Sequence, residues 1–117
     1  MPRVGRNEVE AVYFTLLRAR EELAELRRYE EYLEAEQRRL QRFVAEGDAL
    51  EAHVDPRLRR AIAHTDASLT KAIRTRLEVL GDELERQPHR IDAASAFVEE
   101  CEHDLARLRG GPGPSRE

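Results

Sequence analysis

Glu100 and His103 are the two residues of this sequence whose types and spacing come closest to a chemical motif. A Glu-x-x-His spacing places both side chains on one face of a helix, and helical proteins use it to hold bridged metal ions. Such a site needs a second element of the same kind, and the sequence contains no other Glu-x-x-His. We therefore interpret His103 as a solvent-facing histidine, and we expect neither a metal nor another cofactor.

Cys101 is the only cysteine, so it cannot form an intrachain disulfide. It falls at an apolar position of a helical pattern, which predicts a small core residue in a protein of the reducing cytoplasm. The sequence also lacks a glycine-rich phosphate loop, a Cys-x-x-Cys, a His-x-x-x-His and a Gly-x-Ser-x-Gly. We therefore expect that the protein is not an enzyme.

The composition limits the kinds of partner. The 117 residues are 38% charged and 40% hydrophobic, with no Trp, which indicates one domain with apolar stripes rather than a thick core. The formal net charge of −4 makes nucleic acid an unlikely partner, although 19 of the 20 basic residues are Arg. No apolar run approaches the roughly 18 residues of a membrane span, so no membrane association is expected.

The first half of the chain has the pattern of a coiled coil. Asn7 followed by Glu10 predicts an N-cap and capping box, and Gly47 predicts a left-handed C-cap, so helix one is expected over 7–46. Apolar residues recur in this span at alternating steps of three and four for about five heptads. The leucines predicted to form an oligomer seam are Leu16, Leu23, Leu26, Leu33 and Leu40.

The second half begins with Asp55 and Pro56, an N-cap and a first helical residue. Pairs of apolar residues then repeat every eleven residues, which predicts helix two over 56–86. Because Pro88 removes a helical donor, helix two is expected to end or kink there, with a shorter helix three over 90–109. The predicted fold is an all-α antiparallel hairpin within one domain, 7–109, between a flexible N-terminus, 1–6, and a disordered tail, 110–117.

A single hairpin of this kind leaves the large apolar side chains beside its seam partly exposed. This exposure predicts assembly as a helical-bundle dimer. A different helical protein is the other partner that the pattern allows. The flanking residues are Tyr13, Phe14, Leu17, Tyr29, Tyr32 and Phe43.

One face of helix two is basic and lies opposite the apolar stripe at 100° per residue. As a functional surface, it would dock an acidic partner or a phosphate backbone. The other interpretation is a solubilising face, or a surface that pairs with the acidic residues of helix three. The basic stripe consists of Arg57, Arg60, His64, Lys71 and Arg74.

The turn between the two long helices is acidic, with Glu46, Asp48, Glu51 and Asp55 and no intervening basic residue. A hairpin with such a tip resembles the coiled-coil factors that enter the secondary channel of bacterial RNA polymerase. The resemblance is architectural, covers residues 7–86 and includes none of those factors' tip motifs. It implies a transcription regulator in which Asp48 and Glu51 contact the partner, whereas the alternative is that acidic residues here only cap helices.

The expected function is therefore a non-enzymatic coiled-coil module for protein–protein interaction, acting as a homo-oligomeric scaffold, adaptor or regulator. The alternative is a transcription regulator that docks on RNA polymerase, a sigma factor or nucleic acid.

Overall fold

The computed structural model describes residues 5–110, except for the side chains of residues 51 and 63–65. This part of the chain consists of two α-helices without a strand: α1, Arg6–Glu51, and α2, Pro56–Gly110. The helices run antiparallel, since Tyr29 contacts Glu83 while the later Glu36 contacts the earlier Arg76. The predicted all-α helical hairpin is confirmed. Apart from Gly5, Arg6 and Gly110, the predicted flexible N-terminus and disordered tail lie outside the described residues.

The N-terminus of α1 differs from its prediction. The carbonyl of Gly5 accepts hydrogen bonds from the backbone N–H groups of Glu8 and Val9, at 3.1 and 3.3 Å. Gly5 therefore occupies the N-cap position, where glycine is well tolerated, and Asn7 already lies inside the helix. The predicted capping box is wrong, and the Glu10 carboxylate instead lies 3.4 Å from the Arg6 guanidinium one turn earlier.

Helix α1 also ends later than predicted. It continues through Gly47 to Glu51, so the prediction of a left-handed C-cap at Gly47 is wrong. A single glycine costs a helix only about 1 kcal/mol relative to alanine, which does not force the helix to end. The start of α2 is as predicted, because the Asp55 carboxylate accepts the Arg57 N–H at 2.8 Å and Pro56 is the first helical residue.

Pro88 lies inside α2, so the segment predicted as helix three is the C-terminal part of α2. A proline inside a helix costs about 3 kcal/mol because it removes one backbone hydrogen bond. Pro88 is exposed, and buried or half-buried residues continue on both sides of it at steps of three and four: Leu80, Leu84, Gln87, Ile91, Ala94 and Val98. We infer that burial of this stripe offsets the lost hydrogen bond.

The chain divides into two compact units, and the described residues of the first are 5–28 and 87–110. Its core joins the start of α1 to the end of α2 through the buried residues Leu16, Ala19, Val98, Cys101 and Leu105. At the surface of this unit the Arg20 guanidinium lies 2.9 Å from the Glu102 carboxylate, and the Arg109 guanidinium lies 5.6 Å from the centre of the Tyr13 ring.

Gln87 is the buried polar residue of the first unit, with no exposed side-chain area. Its amide nitrogen donates to the backbone carbonyl of Leu26 at 3.3 Å, and its amide oxygen accepts from the Arg90 guanidinium at 2.8 Å. A buried amide left without such partners would cost about 1–3 kcal/mol. Since the Leu26 carbonyl is at one fixed position on α1, we infer that Gln87 favours a single register between the two helices.

The second unit contains residues 29–86, which include the end of α1, the turn and the first part of α2. Leu33 and Leu80 are its most deeply buried side chains, with 1% and 0% exposed, and Ile73 is 9% exposed. Across the two helices, the Arg76 guanidinium makes two hydrogen bonds to the Glu36 carboxylate, at 2.8 and 3.0 Å.

Replacing Leu33 with alanine should lower the free energy of unfolding by about 2–5 kcal/mol, because it leaves a cavity at a fully packed position. Urea unfolding followed by circular dichroism measures this change. The matched control is Leu58→Ala, which removes the same atoms from a side chain that is 55% exposed. Equal losses from both variants would contradict the described core.

Candidate functional site

Large apolar side chains remain exposed along both helices. The six flanking residues predicted to be uncovered in a single hairpin are all exposed, from 37% for Tyr13 to 63% for Phe14. Leu50, Leu58, Leu69, Val79 and Phe97 are exposed as well. Isolated apolar residues are common on protein surfaces, but several that lie around one depression are typical of an interaction site.

Such a depression lies in the second unit, between the end of α1 and the first part of α2. It is a cavity of about 910 Å³. Its apolar lining comes from Phe43, Val44 and Leu50 on α1, and from Ile62, Leu69 and Ile73 on α2. Phe43, Leu50 and Leu69 are each more than half exposed, so the cavity is open to solvent.

The two apolar repeats explain why the helices do not close over this cavity. In the second unit α1 keeps a heptad repeat, whereas α2 follows an eleven-residue repeat. A heptad repeat favours left-handed coiling and an eleven-residue repeat favours right-handed coiling, so the stripes cannot remain matched over many turns. Along α2, equivalent leucines change from fully buried at Leu80 to half exposed at Leu69 and Leu58.

Most of the predicted basic stripe is exposed to solvent, as a docking surface requires. Arg57, Arg60, Lys71 and Arg74 are exposed, and none of the four forms an ion pair with another residue of the described chain. Lys71 and Arg74 also line the cavity. The side chain of His64 lies outside the described residues. The stripe's role in binding a partner stays a prediction.

The acidic tip reaches the same cavity from α1. Glu46 and Asp48 are exposed and line it, whereas the carboxylate of Asp55 is used to cap α2. The side chain of Glu51 lies outside the described residues. The structure therefore brings part of the basic stripe and part of the acidic tip together, whereas in the sequence they are separate features.

The five seam leucines lie on the face of α1 that packs within the chain. Leu16 and Leu33 are buried, and Leu23, Leu26 and Leu40 are partly buried. In the first unit Leu16 belongs to the core that α2 completes. Their part in an oligomer seam stays a prediction, because this burial arises within a single chain.

Arg76 and Glu36 form an ion pair between the two helices of the second unit, which the sequence pattern did not predict. They lie 40 residues apart, and only the register of the two helices brings them together. Hydrogen bonds from Arg76 hold the pKa of Glu36 below its usual value, with a smaller contribution from the Tyr32 hydroxyl, while burial opposes this shift. The same carboxylate raises the pKa of Arg76.

The residues considered for metal or redox chemistry lie apart from the cavity. Glu100 and His103 are exposed in the first unit, and among the side chains that the structure describes no three His, Cys, Asp or Glu residues converge to hold a metal ion. Cys101 is buried, which raises the pKa of its thiol. Neither described helix is apolar over enough of its length to cross a membrane.

Replacing Arg76 with glutamine should raise the pKa of Glu36 towards that of an ordinary glutamate. Because this pKa is lowered in the folded protein, the pair contributes to stability at neutral pH and is lost as the pH falls through the lowered value. Carboxyl-carbon NMR titration measures the shift. Arg74→Gln is the matched control, and an identical Glu36 titration in both variants would contradict the assignment.

An open apolar cavity with charged groups around it suits recognition of another surface. No protein-family model, curated protein or solved structure matches the chain.

Proposed function

We propose that this chain is a non-enzymatic protein–protein interaction module that works as a homodimer. The observation that carries the proposal is the exposure of large apolar side chains on both helices, which include Phe43, Leu50 and Leu69 around one cavity. Its biological role is that of a scaffold, adaptor or regulator in the reducing cytoplasm.

The energetic basis is the apolar surface that one hairpin leaves in water. Burial of apolar surface contributes roughly 25 cal/mol per Å², so side chains such as Phe14, Phe43 and Leu50 are a substantial unused source of binding energy. Aromatic residues are also enriched in the buried centres of interfaces, and five of the six Tyr and Phe residues on this surface lie on α1: Tyr13, Phe14, Tyr29, Tyr32 and Phe43.

A second copy is the partner that these features favour. Self-association through one patch produces a closed pair and adds no requirement beyond the sequence itself. Two hairpins placed side by side form a four-helix arrangement, in which each helix has a second neighbour for the residues that flank its seam. The unmatched repeats of α1 and α2 support this arrangement, because a helix that contacts two neighbours need not match either one along its whole length.

At micromolar concentration the purified protein should form a species with twice the 13.5 kDa mass of one chain. Light scattering after gel filtration measures the mass, and circular dichroism over the same dilution series shows whether the helices persist. A 13.5 kDa species that keeps its helicity at these concentrations would reject the homodimer.

A second candidate function is docking of the hairpin end on a large partner such as RNA polymerase. Exposure of Asp48 at the end of α1, without an ion pair to any described residue, favours this candidate. It would make the acidic tip, rather than the apolar surface, the working part of the molecule.

Under this second candidate, Asp48→Ala should weaken binding to purified bacterial RNA polymerase, because it removes an exposed charge without disturbing the Asp55 cap. Fluorescence anisotropy of the labelled chain measures the affinity. The comparison variant replaces Arg57, Arg60, Lys71 and Arg74 with glutamate and should bind as the unchanged chain does. Absence of binding by the unchanged chain would remove this candidate.

A further inference from the structure

We propose that the last part of α1, residues 47–51, opens and closes as a local unit while the rest of the second unit stays folded, and that this movement controls one wall of the cavity. The inference goes beyond the proposed homodimer, because it concerns a single chain and needs no partner. Three observations carry it: the exposure of the hairpin end, a glycine inside the helix and charges of unfavourable sign at the helix end.

The hairpin end has little packing to hold it. Every residue of 45–50 on α1 is exposed, and so is every residue of 55–61 on α2. Leu50 is 66% exposed, whereas Leu33 and Leu80 in the same unit are almost completely buried. Helices in proteins owe most of their stability to the packing of an apolar face. The end of α1 therefore depends on its own backbone.

Gly47 weakens that backbone. It lies inside α1, four residues before the helix ends at Glu51. In a helix interior, glycine shifts the equilibrium between helix and coil about fivefold towards coil relative to alanine. No neighbour requires a glycine at this position, since an added Cβ would meet no atom within 4 Å. The effect of Gly47 on the structure is therefore to loosen the helix rather than to make room for another group.

The charges at the end of α1 oppose its dipole. The C-terminal end of a helix is partly negative, so basic side chains stabilise it and acidic ones destabilise it. The last turn of α1 contains no basic residue, and Glu46 and Asp48 form no ion pair within the described part of the chain. The first turn of α2 lacks an acidic residue, but Asp55 caps it through the Arg57 N–H. Of the two helix ends at the turn, α1 has the weaker one.

Two backbone hydrogen bonds close this end of α1. The Ala52 N–H donates to the Asp48 carbonyl at 3.2 Å, and the His53 N–H donates to the Leu50 carbonyl at 3.1 Å. Both bonds lie in a part of the hairpin where the side chains are exposed to water. Segments with few buried contacts and exposed backbone hydrogen bonds open without unfolding of the whole domain. Residues 47–51 meet both conditions.

Opening of this segment changes the cavity. Gly47, Asp48 and Leu50 line it from α1, while Phe43 and Val44 line it from the part of α1 that precedes the segment. The open form therefore loses one part of the α1 wall and keeps the other. A partner that contacts Leu50 in its helical position binds the closed form, so its apparent affinity falls as the open fraction rises.

Hydrogen–deuterium exchange read by mass spectrometry tests the local opening. After correction for intrinsic rates, the peptide 48–53 should exchange at least about tenfold faster than peptides that contain Leu33 or Leu80. Gly47→Ala should slow exchange of this peptide about fivefold, because alanine favours the helix and fits the open space. Asp48→Lys should slow it at least about twofold, because a basic residue replaces an acidic one at the C-terminal end of α1.

The matched control is Gly81→Ala, the same change inside α2 at a position where an added Cβ also meets no atom within 4 Å. It should leave exchange of the peptide 48–53 unchanged. Measurement at the lowest concentration of the light-scattering series separates this test from that of the homodimer. The proposal is overturned if peptide 48–53 is as protected as the Leu33 and Leu80 peptides, if Gly47→Ala does not slow it or slows all peptides equally, or if Gly81→Ala slows it as much.

Discussion

A pair of antiparallel helices can bury only the stripe of side chains along which the two helices touch. In this chain that stripe supplies the core of each unit, from Leu16 and Leu105 in the first to Leu33 and Leu80 in the second. No third layer covers the flanks of the described helices, so aromatic and aliphatic residues beside the seam stay in contact with water. The candidate interaction surface therefore follows from the thinness of the fold.

The match between the two apolar repeats varies along the chain, and the two units differ accordingly. In the first unit both helices place apolar residues at steps of three and four, and Leu16, Ala19, Val98 and Cys101 form a closed core. In the second unit the eleven-residue repeat of α2 faces the heptads of α1, and the lining of the cavity stays open. The period of α2 changes close to Gln87, the residue at which the units divide.

The sequence predicted the elements well because long apolar periodicity and the Asp55-Pro56 start are strong local signals. It failed where a local signal competes with packing: Gly47 and Pro88 suggest ends, but burial of a continuous stripe keeps both helices intact. Gln87 occupies a position of the pattern of three- and four-residue steps that runs from Leu80 to Leu108. That spacing could therefore have predicted that the helix continues past Pro88. The Glu36 and Arg76 pair could not be predicted from the sequence, because the two residues are 40 positions apart and only the register of the two helices brings them together. For the same reason, the meeting of the basic stripe with the acidic tip at one cavity required the structure.

The central claim is that a second copy of this chain covers apolar side chains that one hairpin leaves exposed, which include those around the cavity of the second unit. Hydroxyl-radical footprinting over a dilution series tests it most directly, because oxidation reports the solvent exposure of individual side chains. The account predicts that Phe43, Leu50 and Leu69 become protected as the concentration rises through the dimerisation range. Unchanged oxidation of Phe43, Leu50 and Leu69 over the whole series would contradict it.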